Sequence, residues 1–537
     1  MTTPTRGRAP SSTAGVGTML AIQWRTGWRS LLAWVLGIAL MMLLTASSLR
    51  GLYPTQADLD RYAATLTGGA VYVLNGRVAG VDTLGGAMSN EFALFGAFAV
   101  PILAVAVMAR FTRSEEENGR LELLLAAAIG RRAPLAAALV TTAATLAVTL
   151  ALCAVTMAAF GASPAGAALY CLGLFGLGLV HAGVAAVAAQ VFEHARGVWA
   201  VGLAVIVVTY LVRGAGAAQD SALVWASPLG WLDGLRAFGD ARWWPLACFA
   251  LTAAALVALA VVLHARRDVD AALLRVRPAA PRASAWLRSP VGLALHEHRG
   301  TLIGWSLGAV VLMGVYGSLS QTVIDALEAD PTLQVFLGAG GSDSILSATV
   351  GMFTLLLAML SAAAGIAACG SLARYERLGL LETQLSAPRS RWAWLGAQVG
   401  VILCGWAVVH LVGALALAGA TAASMGERRW FGEVLRAAAV HAVPALLLVA
   451  LAVALFGLAP RWRVLAWVVF GVSAVLAYLG PGLQLPDAVM DLVPFSAVGS
   501  VPLEDPDPVA VTVELGLAAL LLVAGFVGLR RRDVPRG

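Results

Sequence analysis

The sequence predicts an all-α integral membrane protein with about twelve transmembrane helices, built as two parallel-repeat halves of six helices each. Of its 537 residues, 60% are hydrophobic and only 12% are charged, whereas a soluble domain carries about twice that charged fraction. The apolar residues also form long blocks, such as 133–192, that contain no Asp, Glu or Arg. Because a helix needs about 20 apolar residues to cross the hydrocarbon layer, this block predicts two helices and a turn.

Hydrophobic runs place six spans in each half. In the first half we expect spans at about 31–49, 91–110, 134–160, 165–191, 197–212 and 245–264. In the second half we expect them at about 301–320, 346–372, 393–419, 437–459, 464–480 and 509–529. The turn inside the block 133–192 is predicted at Gly161-Ala162-Ser163-Pro164, since Gly and Pro interrupt helical patterns.

The arginines predict the orientation of the chain. With the N-terminus placed in the cytoplasm, the loops on that side carry about three times as many Arg as the outer loops, which are the acidic ones. This bias follows the positive-inside rule. An even number of spans returns the Arg-rich C-terminus to the same side. The sequence therefore predicts a multi-pass protein of the cytoplasmic (inner) membrane, with both termini cytoplasmic.

Every basic residue other than histidine is Arg, and the chain contains no Lys. A P-loop requires a Lys that reaches the β- and γ-phosphates of ATP, so this chain cannot form one. Schiff-base chemistry on Lys is excluded as well. The five Cys lie singly in apolar segments, without a C-x-x-C pair or a Cys/His metal motif. We expect no enzyme activity, no metal and no cofactor bound by this chain.

The chain repeats itself. The segments 116–127 and 376–387 both read E-x-x-G-x-L-E-x-x-L-x-A, and Arg131 and Arg391 follow at the same offset. Further matches in the same order are Trp34 with Trp305, Pro228 with Pro494, and Arg-Arg-Asp-Val at 266–269 and 531–534. We divide the chain into a first half at 1–269, a Pro- and Arg-rich linker at 270–290 and a second half at 291–537.

The repeated motif lies in two short loops that follow the second span of each half: the first motif loop, 111–133, and the second motif loop, 373–391. Leucines three and four residues apart share a helix face. The leucine spacing in each loop therefore predicts a short amphipathic helix suited to docking on a soluble partner. The alternative is a solvated turn. The candidate docking residues are Glu116, Gly119, Arg120, Leu121, Glu122, Glu376, Gly379, Leu381, Glu382, Pro388 and Arg391.

The segment 17–30 precedes the first span. It carries Trp24 and Trp28, and Arg25 and Arg29, each pair four residues apart. A helix with Trp at headgroup depth and Arg toward phosphate can lie in the membrane interface. We predict an interfacial helix here; the alternative is a plain N-terminal extension of the first span.

These features together resemble type-2 ABC exporter permeases. The fused two-half form, with its E-x-x-G-x-L-E repeat and Arg-Arg-Asp-Val after the sixth span, resembles actinobacterial antibiotic-export permeases of the polyketide and tetronasin-like type. The resemblance implies that the motif loops are coupling helices, each seated in a cleft of a separate ATP-binding subunit. Two copies of that subunit would then bind ATP and Mg²⁺. Pro388 closes the second motif, whereas the first has Ala128 there, so the two contacts need not be equivalent.

The resemblance implies export of amphipathic or hydrophobic compounds of the antibiotic or multidrug type. A lipid or glycolipid exporter of the same class, a proton-coupled secondary transporter and a non-transport membrane protein are the alternatives. His181, His410 and His441 lie within three different spans, where polar residues usually face the bundle interior. They could form a proton relay, or they could be packing residues or polar positions in a cargo cavity.

Overall fold

A computed structural model describes residues 12–66, 72, 75–121, 129–266, 273, 284–318, 320–321, 342–377, 379–386, 390–479 and 486–532. The regular structure of these residues is helical throughout. The chain forms two compact units, 1–278 and 279–537. Each unit is described by itself below.

Over its described residues, the first unit contains six long α-helices and three short ones. They are α1 Val16–Leu52, α2 Gln56–Thr65, α3 Leu84–Phe111, α4 Arg113–Glu117, α5 Ala133–Ala159, α6 Pro164–Val191, α7 Ala195–Ala218, α8 Pro228–Gly234 and α9 Pro245–Arg266.

The described residues of the second unit also form six long helices. They and the short helices between them are α10 Pro290–Ser318, α11 Ser342–Arg377, α12 Leu380–Leu385, α13 Arg391–Met425, α14 Arg429–Leu458, α15 Val464–Leu479, α16 Asp487–Met490, α17 Pro494–Ala497 and α18 Pro508–Arg531. The paired prolines Pro228 and Pro494 each begin a short helix after the fifth span of their unit.

Twelve helices of the described residues are long and apolar enough to cross a membrane, and they coincide with the twelve predicted spans. The predicted turn at 161–164 is confirmed. Gly161 adopts a φ of 105°, and the Ser163 hydroxyl accepts a bond from the Gly166 amide at 3.2 Å. Pro164 then opens α6, where its missing N–H costs nothing.

The predicted boundary between an interfacial helix and the first span is absent. Helix α1 is continuous over 37 residues, which corresponds to about 55 Å, whereas the hydrocarbon core is about 30 Å thick. The stretch 17–30 is therefore continuous with the first span, and its position in the membrane interface stays a prediction. The two Arg do not end the helix, because Arg is a good helix former.

In each unit the second and fourth spans form the core. In the most apolar stretch of α3 and of α6, 67% and 72% of the residues are buried, whereas in α9 at the periphery only 17% are buried. In the second unit the corresponding central helices are α11, at 67%, and α14, at 61%. The peripheral helices expose leucines and valines such as Leu251 and Leu520, which suits contact with lipid tails.

Close backbone packing joins α14 to α18. A Cβ placed on Gly525 would lie 2.8 Å from the carbonyl oxygen of Val453, and Gly457 lies directly against the Gly525 backbone. Helices in lipid gain little from hiding apolar surface, so small residues that allow such an approach supply the packing.

We predict that Gly525→Val lowers the thermal stability of the purified protein, because the added methyl groups push α18 away from α14. Overpacking costs about 1–3 kcal/mol, which for a unit of this size is a melting temperature lower by roughly 5 °C. Gly516→Val is the matched control, since no atom lies within 4 Å of a Cβ at Gly516. Equal melting temperatures for the two variants in detergent would show that the packing contributes nothing.

Candidate functional site

The first motif loop begins at a buried arginine. Arg113 opens α4 and is 1% exposed; its Nε donates to the carbonyl oxygen of Ala189 at the end of α6. Its Nη1 forms an ion pair with Glu116, the first residue of the repeated motif. The loop is thus fixed to the end of the fourth span by one arginine that satisfies both a carbonyl and a carboxylate.

A second glutamate of the first loop supports the fifth span. The Glu117 carboxylate accepts a hydrogen bond from the Ala195 amide at 2.8 Å, at the first residue of α7. The first amides of a helix have no partner within it, and the positive end of the helix dipole favours a carboxylate there. Glu117 therefore caps α7 from outside the helix.

The first motif then turns outward. Gly119 has a φ of 66°, a left-handed conformation that glycine adopts without strain. Arg120 follows with 61% of its side chain exposed and lies 3.5 Å from Glu115. Leu121 returns inward and is 7% exposed. Glu122 lies outside the residues that the structure describes.

The second motif loop repeats this shape. Gly379 has a φ of 69°, nearly the same as Gly119, and precedes the six-residue helix α12. Leu381 is completely buried, whereas Leu380 is 41% exposed, and Glu382 is exposed. The glycine of the motif is thus explained by the same left-handed turn in both halves.

The second loop is fixed through the other repeated motif. Arg532, of the Arg-Arg-Asp-Val segment after the sixth span, binds Glu376 with both terminal nitrogens, one at 2.8 Å. The side chains of Glu376 and Arg532 are only 9% and 15% exposed. Arg391 donates to the Arg532 carbonyl at 2.8 Å. A pairing between residues 376 and 532 has no signal in either motif alone, and the sequence interpretation missed it.

The predicted docking residues therefore fall into two groups. Those whose side chains contact their own unit are Glu116, Leu121, Glu376, Leu381 and Arg391. The residues left on the surface are Gly119, Arg120 and Glu382, joined by Leu380 and Thr383, and they form the exposed tips of the two loops; Gly379 is half-buried at its turn. Two leucines of the predicted docking helices, Leu121 and Leu381, are buried within their own units. Pro388 lies outside the described residues.

The Trp and Arg pairs of α1 share an exposed face. Trp24 is 62% and Trp28 42% exposed, and Arg25 and Arg29 are exposed beside them. The opposite face, with Gln23 and Gly27, packs into the unit. Exposed Trp beside Arg is compatible with headgroup contact, and that role stays a prediction.

The three span histidines are buried, and each bonds to its immediate surroundings. The distances are 2.9 Å from His181 Nδ1 to the Leu177 carbonyl, 3.0 Å from His410 Nδ1 to Ser361 Oγ, 2.9 Å from His410 Nε2 to the Ala438 carbonyl, and 3.1 Å from His441 Nδ1 to Thr354 Oγ1. These contacts match the packing interpretation. A cavity-lining role stays a prediction.

A buried ion pair on the far side of the first unit was not anticipated. Arg213, 2% exposed at the end of α7, has its Nη1 3.8 Å from Asp233 Oδ2 in α8. Both side chains line a pocket with Asn75 and Tyr170. Burial raises the pKa of Asp233 to about 6, although the nearby guanidinium opposes the shift.

Known proteins resemble the chain over its whole length. A family model described as "Multidrug efflux system permease Rv1217c, C-terminal domain" matches residues 16–264 and 287–530. The multidrug efflux system permease protein Rv1217c of Mycobacterium tuberculosis is 32% identical, over 99% of this chain and 97% of its own length. The two matched stretches correspond closely to the two predicted halves.

We predict that Glu376→Gln destabilises the protein, because it leaves Arg532 with a buried charge and no carboxylate. Removing one partner of a buried pair costs about 3–5 kcal/mol, and partial exposure places this pair at the lower end. Glu382→Gln changes an exposed residue of the same loop and should leave the melting temperature within about 1 °C of wild type. If both variants melt like wild type, the ion pair does not hold the loop.

The raised pKa of Asp233 leads us to predict that the stability of the protein depends on pH. Its pKa is higher in the folded chain, about 6, than the ordinary value of 3.8, so the folded state binds the proton more tightly. Stability therefore falls as the pH rises from about 4 to about 6, by up to roughly 3 kcal/mol. In Asp233→Asn the melting temperature should no longer fall over this pH range. In the exposed control Asp82→Asn it should fall as in wild type. An unchanged slope in Asp233→Asn would contradict the assignment.

Proposed function

The chain belongs to the multidrug efflux system permease family, and from this premise we propose that it is the membrane subunit of an ATP-binding-cassette exporter. It would move amphipathic or hydrophobic compounds out across the cytoplasmic membrane, with energy from a separate ATP-binding subunit. The observation that carries the proposal is the pair of motif loops, in which a buried ion pair anchors an exposed tip at matching positions of the two halves.

The lack of lysine supports this proposal. Without Lys the chain has no P-loop, so we place ATP and Mg²⁺ in the partner. Two copies of that partner would dock, one on each motif loop, on the cytoplasmic side that the Arg bias predicts. Anchored loops suit such docking, because a contact that transmits force must not move relative to the spans behind it.

The two tips offer different chemistry. The first presents the guanidinium of Arg120 with Glu115 beside it, whereas the second presents Leu380 and the carboxylate of Glu382. We expect the residue after the glycine to seat against acidic groups in the first loop and against an apolar surface in the second, while Glu122 and Glu382 occupy the same position of both motifs. The contacts of the two ATP-binding subunits would therefore be unequal.

The side-chain composition of the spans indicates the class of cargo. Their side chains are mostly Ala, Leu, Val, Phe and Trp, which favour an amphipathic compound that partitions into the membrane. We propose antibiotics of the polyketide and tetronasin-like type as the first class to test.

We predict that Arg120→Glu and Glu382→Arg each weaken binding of the ATP-binding subunit about tenfold, which is about 1.4 kcal/mol. Reversing a charge at the tip replaces an attraction by a repulsion and leaves the buried anchor in place. The measurement is the affinity of the purified permease for its ATPase in lipid nanodiscs, together with ATP-dependent efflux.

The matched controls are Arg242→Glu and Glu433→Arg, exposed residues outside both motif loops. Both should bind the ATPase like wild type. If the two tip variants also keep wild-type affinity and efflux, docking on the motif loops is wrong.

A further inference from the structure

One carboxylate of the second unit joins three helices. Glu297, near the start of α10, accepts a hydrogen bond from Gln384 of α12 at 3.0 Å on one oxygen. Its other oxygen accepts a bond from Gln398 of α13 at 2.7 Å. Glu297 thus lies between the exposed tip of the second motif loop and the third span of the unit.

The outer members of this network determine how the two amides are oriented. Trp394 Nε1 can only donate a hydrogen bond, and it contacts the Gln384 carbonyl oxygen, so the Gln384 amide nitrogen must face Glu297. Gln398 directs its own nitrogen to Glu297 and its oxygen to His298 Nε2, 2.8 Å away. Gln398 and His298 are each 2% exposed. Each of these donors therefore meets an acceptor, which makes the arrangement specific.

The helices joined by Glu297 continue as one packed pair. Leu302 of α10 fills the space that a Cβ on Gly405 of α13 would occupy. At the far ends, Ser320 lies 3.2 Å from Thr421, and Ser424 donates to the Ser318 carbonyl at 3.2 Å. Helices α10 and α13 are thus bonded to each other at both ends and closely packed between them.

We propose that Glu297 is a positioning residue that transmits movement of α12 to the α10–α13 pair. The proposal rests on the proposed function, in which an ATP-binding subunit moves α12. Because one carboxylate holds both Gln384 and Gln398, a shift of the motif helix displaces the packed pair as a unit, and the displacement reaches the far side of the membrane through α10 and α13.

The first motif loop is attached to partly different spans. Arg113 bonds to the end of α6 and Glu117 to the start of α7, which are the fourth and fifth spans. His264 of α9, the sixth span, lies 3.0 Å from the carbonyl oxygen of Arg131 in the same loop. The second loop is attached to the first and third spans through Glu297, and to the end of the sixth through Arg532. Both loops are therefore attached to the sixth span of their unit, and they differ in their other attachments.

The test is Glu297→Gln in the reconstituted complex of permease and ATPase. A glutamine has the same shape but only one acceptor oxygen, so it can hold Gln384 or Gln398 but not both. We expect ATPase binding and basal ATP hydrolysis to stay within about twofold of wild type, and cargo moved per ATP to fall about tenfold. Glu433→Gln, an exposed residue of α14, is the matched control and should change neither quantity.

Exchanging the two residue types should restore the network. In the double variant Glu297→Gln with Gln384→Glu, the carboxylate introduced at position 384 accepts from Trp394 and from the amide nitrogen introduced at position 297. The amide oxygen at position 297 then accepts from Gln398. We expect the double variant to recover most of the transport, while Gln384→Glu alone, which places two carboxylates together, does not transport.

Three outcomes would overturn the role of Glu297: normal transport in Glu297→Gln, loss of binding and transport together, or no rescue by the exchange. The last two would identify a residue needed only for folding, and melting temperatures distinguish that case. Failure of wild type to bind the ATPase at all would instead contradict the proposed function.

Discussion

Each motif loop depends on one buried ion pair. A carboxylate next to the hydrocarbon layer is costly unless it is paired, and the first glutamate of each motif has its partner: Arg113 for Glu116 and Arg532 for Glu376. The pairs hold the chain where it leaves the second span, so that the left-handed glycine that follows can direct the next residues outward. The shape of both loops follows from these two constraints.

This dependence explains three of the motif positions that the two halves share. The shared Glu, Gly and first Leu of the motif are the residues that pair, turn or pack within their own unit. The residue after the glycine differs, being Arg120 in one half and Leu380 in the other, and it is exposed in both. The second Glu of the motif is also shared, as Glu122 and Glu382, so the difference between the two loops is at the exposed residue that follows the glycine.

The sequence predicted the features that depend on local composition. The twelve spans follow from runs of apolar residues, and the turn at 161–164 follows from Gly and Pro. The sequence-based prediction failed where contacts between distant residues determine the structure. The unbroken α1 was missed because arginines mark the limit of an apolar run but do not end a helix. The pairing of Glu376 with Arg532 and the bridge from Glu297 to Gln384 and Gln398 join residues about 90 to 160 positions apart (for example 376 and 532), and no periodicity reports them.

The proposed function divides the work between a permease chain and a separate motor. The most direct measurement is cargo uptake into inside-out proteoliposomes that contain this chain with or without the ATP-binding subunit. We predict uptake only when both the subunit and hydrolysable ATP are present, with no loss when an uncoupler removes the proton gradient. Uptake by the chain alone, driven by a proton gradient, would contradict the division.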